Sequence, residues 1–251
     1  MKKRFLAALA TGLLVVGMGG VAQALPSLQM DIAGGVYDPV TQTVIASDTN
    51  FTLYAFLIPD DNALLTDTYY ISAAIIPMLD AADAGDYGSF VFNGTVIDVT
   101  GDMLYGRPPI STVATTEPSL DLQAHSVFDT YFTEFSFKFD PALDFTPYNT
   151  ESFTGIVPAV DTDGDGIDED GDGMYYAAFN VDTSSLSYPY VVHFDFYNVK
   201  YDSKKGSIVI NQNAPFSHDA QSSPVPEPAT MLLFGTGLAG LAGIARRRKK
   251  A

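Results

Sequence analysis

The sequence predicts an all-β fold, a single β-sandwich or jelly-roll-like domain of about ten strands. Three observations carry that expectation. Apolar, β-branched and aromatic residues alternate with polar ones in short runs. Gly, Pro, Asn and Asp interrupt those runs at short intervals. No convincing amphipathic helix, with its 3.6-residue apolar period, lies between the two ends. The chain has 251 residues. Both ends read as processing segments, so the division is 1–24, a folded body over 25–223, and 224–251. A body of that size buries a sizeable core and suits one all-β domain.

The strands follow in order. In Ser27 to Ile32, Leu28, Met30 and Ile32 share one side. Thr43 to Ser47, Phe51 to Leu57 and Tyr69 to Ile76 are β-branched or aromatic runs. Asp80 to Gly85 has room for one short helical turn. Ser89 to Phe92 and Thr95 to Val99 flank Asn93-Gly94, which supplies the two positive φ angles of a type I′ hairpin. Thr133 to Phe139 sets Phe135, Phe137 and Phe139 on one face, and Met174 to Val181 is another long strand. In Val191 to Val199, Val192, Phe194 and Phe196 oppose His193, Asp195 and Tyr197; Ser207 to Ile210 closes the set.

Charge is distributed unevenly. The net −17 conceals a basic cluster at each end, with eight of the 13 Lys and Arg at positions 2–4 and 246–250. Only five cations face all 30 Asp and Glu in the rest, a formal −25. Such a body repels nucleic acid and anionic lipid and attracts divalent cations. Acidity also keeps an exported protein soluble. The absence of cysteine excludes disulfides, thiolate metal sites and thiol nucleophiles.

Met1 to Ala24 has the form of a signal peptide: Lys2, Lys3 and Arg4, then an apolar run from Phe5 to Met18, then Ala22-Gln23-Ala24. The apolar run is about 14 residues, short of the roughly 20 needed to span a bilayer, so cleavage by signal peptidase after Ala24 is expected. At the other end, Ser222 to Pro228 is a Pro-rich spacer, Ala229 to Ala245 carries no charge, and Arg246 to Lys250 are all cationic. Seventeen helical residues reach roughly 26 Å, enough to span with some bilayer thinning. The cations behind them stay cytoplasmic, which leaves the body on the exported side.

Val225, Pro226, Glu227 and Pro228, followed by an apolar helix and an Arg-rich tail, resemble the PEP-CTERM sorting signal. The resemblance implies recognition by the membrane protease exosortase, removal of the tail near Pro226 to Pro228, transient anchoring in the inner membrane, and display at the cell surface or release from it. A second resemblance covers most of the body. Leu28 to Gly35, Asp67 to Ser72, Thr100 to Met103 and Ala214 to Ser222 look like segments of the choice-of-anchor N proteins, exported bacterial proteins. This likeness implies export and surface display, and no particular chemistry.

One stretch has metal-ligand spacing. Asp161 to Asp172 holds seven carboxylates in 12 residues, a repulsion relieved by solvent or by a cation. Asp161, Asp163 and Asp165 at alternate positions, a turn at Gly166, the carbonyl of Ile167 and the carboxylate of Asp172 fit a calcium loop. Asp172 replaces the usual bidentate Glu, so the loop resembles thrombospondin type 3 and dockerin loops, and the affinity expected for structural Ca2+ is modest.

No catalytic set emerges from His125, His193 and His218. Ser217-His218-Asp219 has the residue types of a triad, but neighbours in sequence point apart and working triads assemble from distant segments. His193 reads as a hydrogen-bonded surface or edge position, and most of the 31 Phe and Tyr read as core. The expectation is a non-enzymatic surface or exopolysaccharide-matrix protein. Two alternatives stand beside it: a calcium-dependent carbohydrate-binding module using exposed Tyr, and a secreted glycosidase, which requires two carboxyls about 5 to 10 Å apart in a cleft.

Overall fold

Alternating apolar side chains make these segments strands and decide which face of each is buried. The computed structural model describes residues 25–79, 82, 85–107, 128–145, 147–152 and 173–224. The strands run β1 (Leu28–Ile32), β2 (Val36–Asp38), β3 (Thr43–Ile45), β4 (Asn50–Leu57), β5 (Tyr69–Ile76), β6 (Ser89–Phe92) and β7 (Thr95–Asp98). They continue as β8 (Leu104–Gly106), β9 (Thr130–Phe137), β10 (Asp144–Phe145), β11 (Met174–Asp182), β12 (Val191–Asp202), β13 (Ser207–Asn213) and β14 (Asp219–Gln221). Single 3-10 turns lie at Thr150–Ser152 and Phe216–His218.

Two sheets result. The first is six-stranded, in the order β1-β4-β11-β6-β7, with β10 added to β11. The second is eight-stranded, β2-β3-β14-β12-β5-β9-β8, with β13 added to β12. Their inner faces share one core. Leu28, Met30, Ile32, Leu53 and Val181 of the first sheet, and Phe194 of the second, belong to it. Aromatic pairs cross the gap: Phe92 stacks on Phe135 at 3.9 Å between centroids, and Phe137 meets Phe179 edge-on at 5.0 Å. Each such pair contributes roughly 0.5–1.5 kcal/mol beyond the burial of its area.

The sandwich and the faces expected of its long strands are therefore present. Asn93 and Gly94 both have positive φ, 48° and 82°, as a type I′ turn between β6 and β7 requires. The strand count differs. Among the described residues there are fourteen strands instead of about ten; β2, β8, β10 and β14 were not anticipated, and each has only two or three residues. Segments so short show no period of their own, and tertiary pairing alone defines them. The helical turn expected over Asp80 to Gly85 falls largely outside the described residues, as do the segments 1–24 and 225–251. Among the described residues no helix is long and apolar enough to cross a membrane.

β14 has a particular place. It pairs in parallel with β3, Ala220 opposite Val44, and antiparallel with β12, Phe194 opposite Ala220. The β2–β3 ribbon joins the second sheet through this three-residue strand.

Candidate functional site

Strand β12 turns Val192, Phe194 and Phe196 into the core, so His193, Asp195 and Tyr197 must face the other way. β12 is central, flanked by β14 and β5, and His193 is 6% exposed. This corrects the expectation of a surface or edge histidine: the alternation holds, but the outer face of the sheet is itself buried at this point. Continuing the β12–β14 register past the Phe194–Ala220 pair puts Asp219 beside Asp195. His193 Nε2 lies 3.3 Å from Asp219 Oδ2 and 3.5 Å from Asp195 Oδ1. Burial opposes a charge on this imidazole, yet the carboxylates of Asp219 and Asp195 outweigh it and hold the pKa well above the usual 6.5.

The same row of the sheet continues through β5 and β9. Asp195 pairs with Ser72, and Ser72 with Glu134. Ser72 is fully buried, and its Oγ has no hydrogen-bond partner among the described residues. Tyr197 donates its hydroxyl proton to Glu134 Oε1. Burial raises the Glu134 carboxyl to about 7, against the lowering effect of that bond. Asp219, Asp195, Ser72 and Glu134 thus form one polar row across four strands, with His193 beside its acidic end. One imidazole and two carboxylates, each offering one atom within 4.8 Å of the others, form a set able to hold a metal ion.

A second buried polar group lies on the outer face of the first sheet. Asp31 accepts hydrogen bonds from Tyr148 Oη at 2.8 Å and from the backbone N–H of Ile32 at 2.7 Å. Burial raises its carboxyl from 3.8 to about 7 despite these donors. Gln29, from the same strand, donates to the carbonyl of Tyr148 and accepts from the N–H of Thr150.

The Ser217-His218-Asp219 string is not a triad. Ser217 Oγ does meet His218 Nδ1 at 2.8 Å, closer than adjacency alone led one to expect. His218 Nε2, however, meets Asn149 Oδ1 at 2.9 Å, and Asp219 is turned to His193. Burial lowers the His218 pKa to about 4. His125 lies outside the described residues. So do all five residues of the expected calcium loop, Asp161, Asp163, Asp165, Ile167 and Asp172, and the motif residues Val225, Pro226, Glu227 and Pro228.

Sequence reading singled out His193 and its alternation with Asp195. It missed Asp219, Ser72 and Glu134 as their companions, because only pairing between strands 24 residues (Asp195 and Asp219) to 123 residues (Ser72 and Asp195) apart brings them together. The pairing of Tyr69–Ile76 with Val191–Val199 as two long apolar runs was the one signal from which Ser72 could have been found.

Residues 224–249 match the PEP-CTERM protein-sorting motif. The motif marks the chain as an exported protein, processed by exosortase and sorted to the cell surface. No curated protein and no solved structure matches the chain.

Proposed function

We propose that this protein is a non-catalytic component of the cell surface or of its exopolysaccharide matrix. Signal peptidase removes residues 1–24 after export, and exosortase cuts near Pro226 to Pro228 while the apolar segment Ala229 to Ala245 holds the chain in the inner membrane. The observation that carries this reading is the sorting motif over 224–249. Two others support it. Among the described residues, Asp31 and Asp219 are buried and Glu134 and Asp195 half-buried, a setting that suits structural roles for these four. The likeness of the body to the choice-of-anchor N proteins points to the same setting. Tyr188 and Tyr201 stand exposed and offer sugar rings a stacking surface, so polysaccharide is the partner this reading favours. Structural Ca2+ held by Asp161, Asp163, Asp165, the carbonyl of Ile167 and Asp172 completes it.

The test is replacement of Pro226-Glu227-Pro228 by three alanines in the producing cell. The expected product is larger than the parent and sediments with membranes, because helix and cations alone retain it. Identical fractionation and an intact Ala251 in both proteins would overturn the reading.

A further inference from the structure

We propose that His193, Asp195 and Asp219 form a structural site for a transition-metal dication of the zinc class, which clamps β14 onto β12. Distances come first. A charge-assisted hydrogen bond from an imidazolium to a carboxylate closes to about 2.7–2.9 Å. Here the two N···O separations are 3.3 and 3.5 Å. Donor atoms about 2.0–2.2 Å from a tetrahedral metal lie about 3.4 Å apart along each edge of the tetrahedron. The two edges that meet at His193 Nε2 have that length, and all three donor atoms lie within 4.8 Å of one another, close enough to share one ion.

Charge points the same way. An imidazolium between two carboxylates leaves a net negative charge where the His193 and Asp219 side chains are 8% and 3% exposed. Two carboxylates drawn around one imidazole in the interior favour a cation between them. A dication with neutral imidazole and two carboxylates is balanced. One nitrogen and two oxygens also suit zinc and its neighbours better than calcium, which takes six to eight oxygens.

Ser72 supplies an independent observation. Its hydroxyl is buried without a partner among the described residues and stands next to Asp195 in the row. A site with three protein ligands keeps a fourth position, and a water there gives the Ser72 hydroxyl its missing partner. The Asp195 side chain, 17% exposed, marks the side from which the ion enters.

The structural consequence follows from the position of β14. It ends three residues before the sorting motif begins at residue 224. A metal bound by Asp219 on β14 and by His193 and Asp195 on β12 fastens the last strand, and through it the β2–β3 ribbon, to the central sheet. The chain entering the sorting segment then leaves from a fixed strand.

The experiment uses the untagged full chain in detergent, stripped with EDTA and returned to buffer holding millimolar Ca2+, so that the acidic loop is saturated. Titration with Co2+ should give visible d–d absorption that saturates at one equivalent and is abolished by Zn2+. Zn2+ should raise the melting temperature, and Asp163→Ala with Asp165→Ala should leave the Co2+ signal intact. Asp219→Asn should weaken Co2+ binding at least tenfold and remove the Zn2+-dependent shift. A parent chain that binds no Co2+ under these conditions overturns the proposal, as does loss of the signal in the Asp163/Asp165 variant. If Asp219→Asn fails to fold, Asp195→Asn serves in its place, and unchanged Co2+ affinity in either folded variant also overturns it.

Discussion

Replacing Asp31 with Asn removes a carboxyl whose proton is held unusually tightly, and the effect on stability should reverse sign with pH. Asp31 is fully buried between Tyr54, its cross-strand partner on β4, and Tyr148. No Lys, Arg or His is paired with it among the described residues, so burial dominates and sets its folded pKa at about 7 against 3.8 for a free side chain. Between those values the folded state binds the extra proton, so stability falls as pH rises, by up to about 1.36 kcal/mol per pH unit. Above pH 7 the parent carries the whole difference, about 4 kcal/mol.

Asn cannot ionise and keeps the shape. Its Oδ1 still accepts from the Ile32 N–H, whereas its Nδ2 now donates to the Tyr148 oxygen, and the Tyr148 proton loses its acceptor at a cost of about 1 kcal/mol. Asp31→Asn should therefore be less stable than the parent by about 1 kcal/mol at pH 4 and more stable by about 3 kcal/mol at pH 8. Urea unfolding of both proteins at half-unit pH steps measures this. Glu134 at about 7 and His218 at about 4 titrate in both chains and cancel in the difference. A difference that stays constant from pH 4 to pH 8 would show that Asp31 ionises as an ordinary carboxyl, and the reasoning from burial would fall.

Gly88 has φ +80°, and a Cβ there would stand 2.2 Å from the carbonyl oxygen of Ser185. Gly88→Ala should lower the melting temperature by at least about 4 °C, whereas Gly94→Ala, with φ +82° and open space around it, should lose only about 1 kcal/mol of stability from its left-handed backbone. If the acidic stretch 161–172 binds calcium as proposed, calcium at about 100 times its dissociation constant should contribute about 2.7 kcal/mol, which is about 5–10 °C in a domain of this size. Differential scanning of the full chain with and without Ca2+ should show that rise, and Asp163→Ala with Asp165→Ala should abolish it.

The long strands were legible because each is read on one face by the core and on the other by something different. Val192, Phe194 and Phe196 alternate with His193, Asp195 and Tyr197 in the sequence, and the structure keeps that division. The hairpin was legible for a local reason, since Asn93-Gly94 fixes its turn before any strand has paired. Neither signal exists for Asp219-Ala220-Gln221. Three residues with one apolar side chain have no period, and their parallel partner Thr43–Ile45 lies at the opposite end of the body.

The same distinction explains why the polar row went unread. An exposed outer face accepts Asp, Ser and Glu without comment, so alternation in β5, β9 and β12 says only that these residues avoid the core. What makes them a group is that this outer face is buried too: Ser72 is at 0%, Asp219 at 2% and His193 at 6% exposure. Burial on both faces normally selects apolar residues throughout, as parallel sheets illustrate. β1 shows the same departure on the first sheet, where Gln29 and Asp31 are fully buried opposite Leu28, Met30 and Ile32. Polar residues kept in such places call for specific partners, and two of the side-chain partners here come from distant segments: Asp219 on β14 meets His193, and Tyr148, before the 3-10 turn at Thr150–Ser152, meets Asp31.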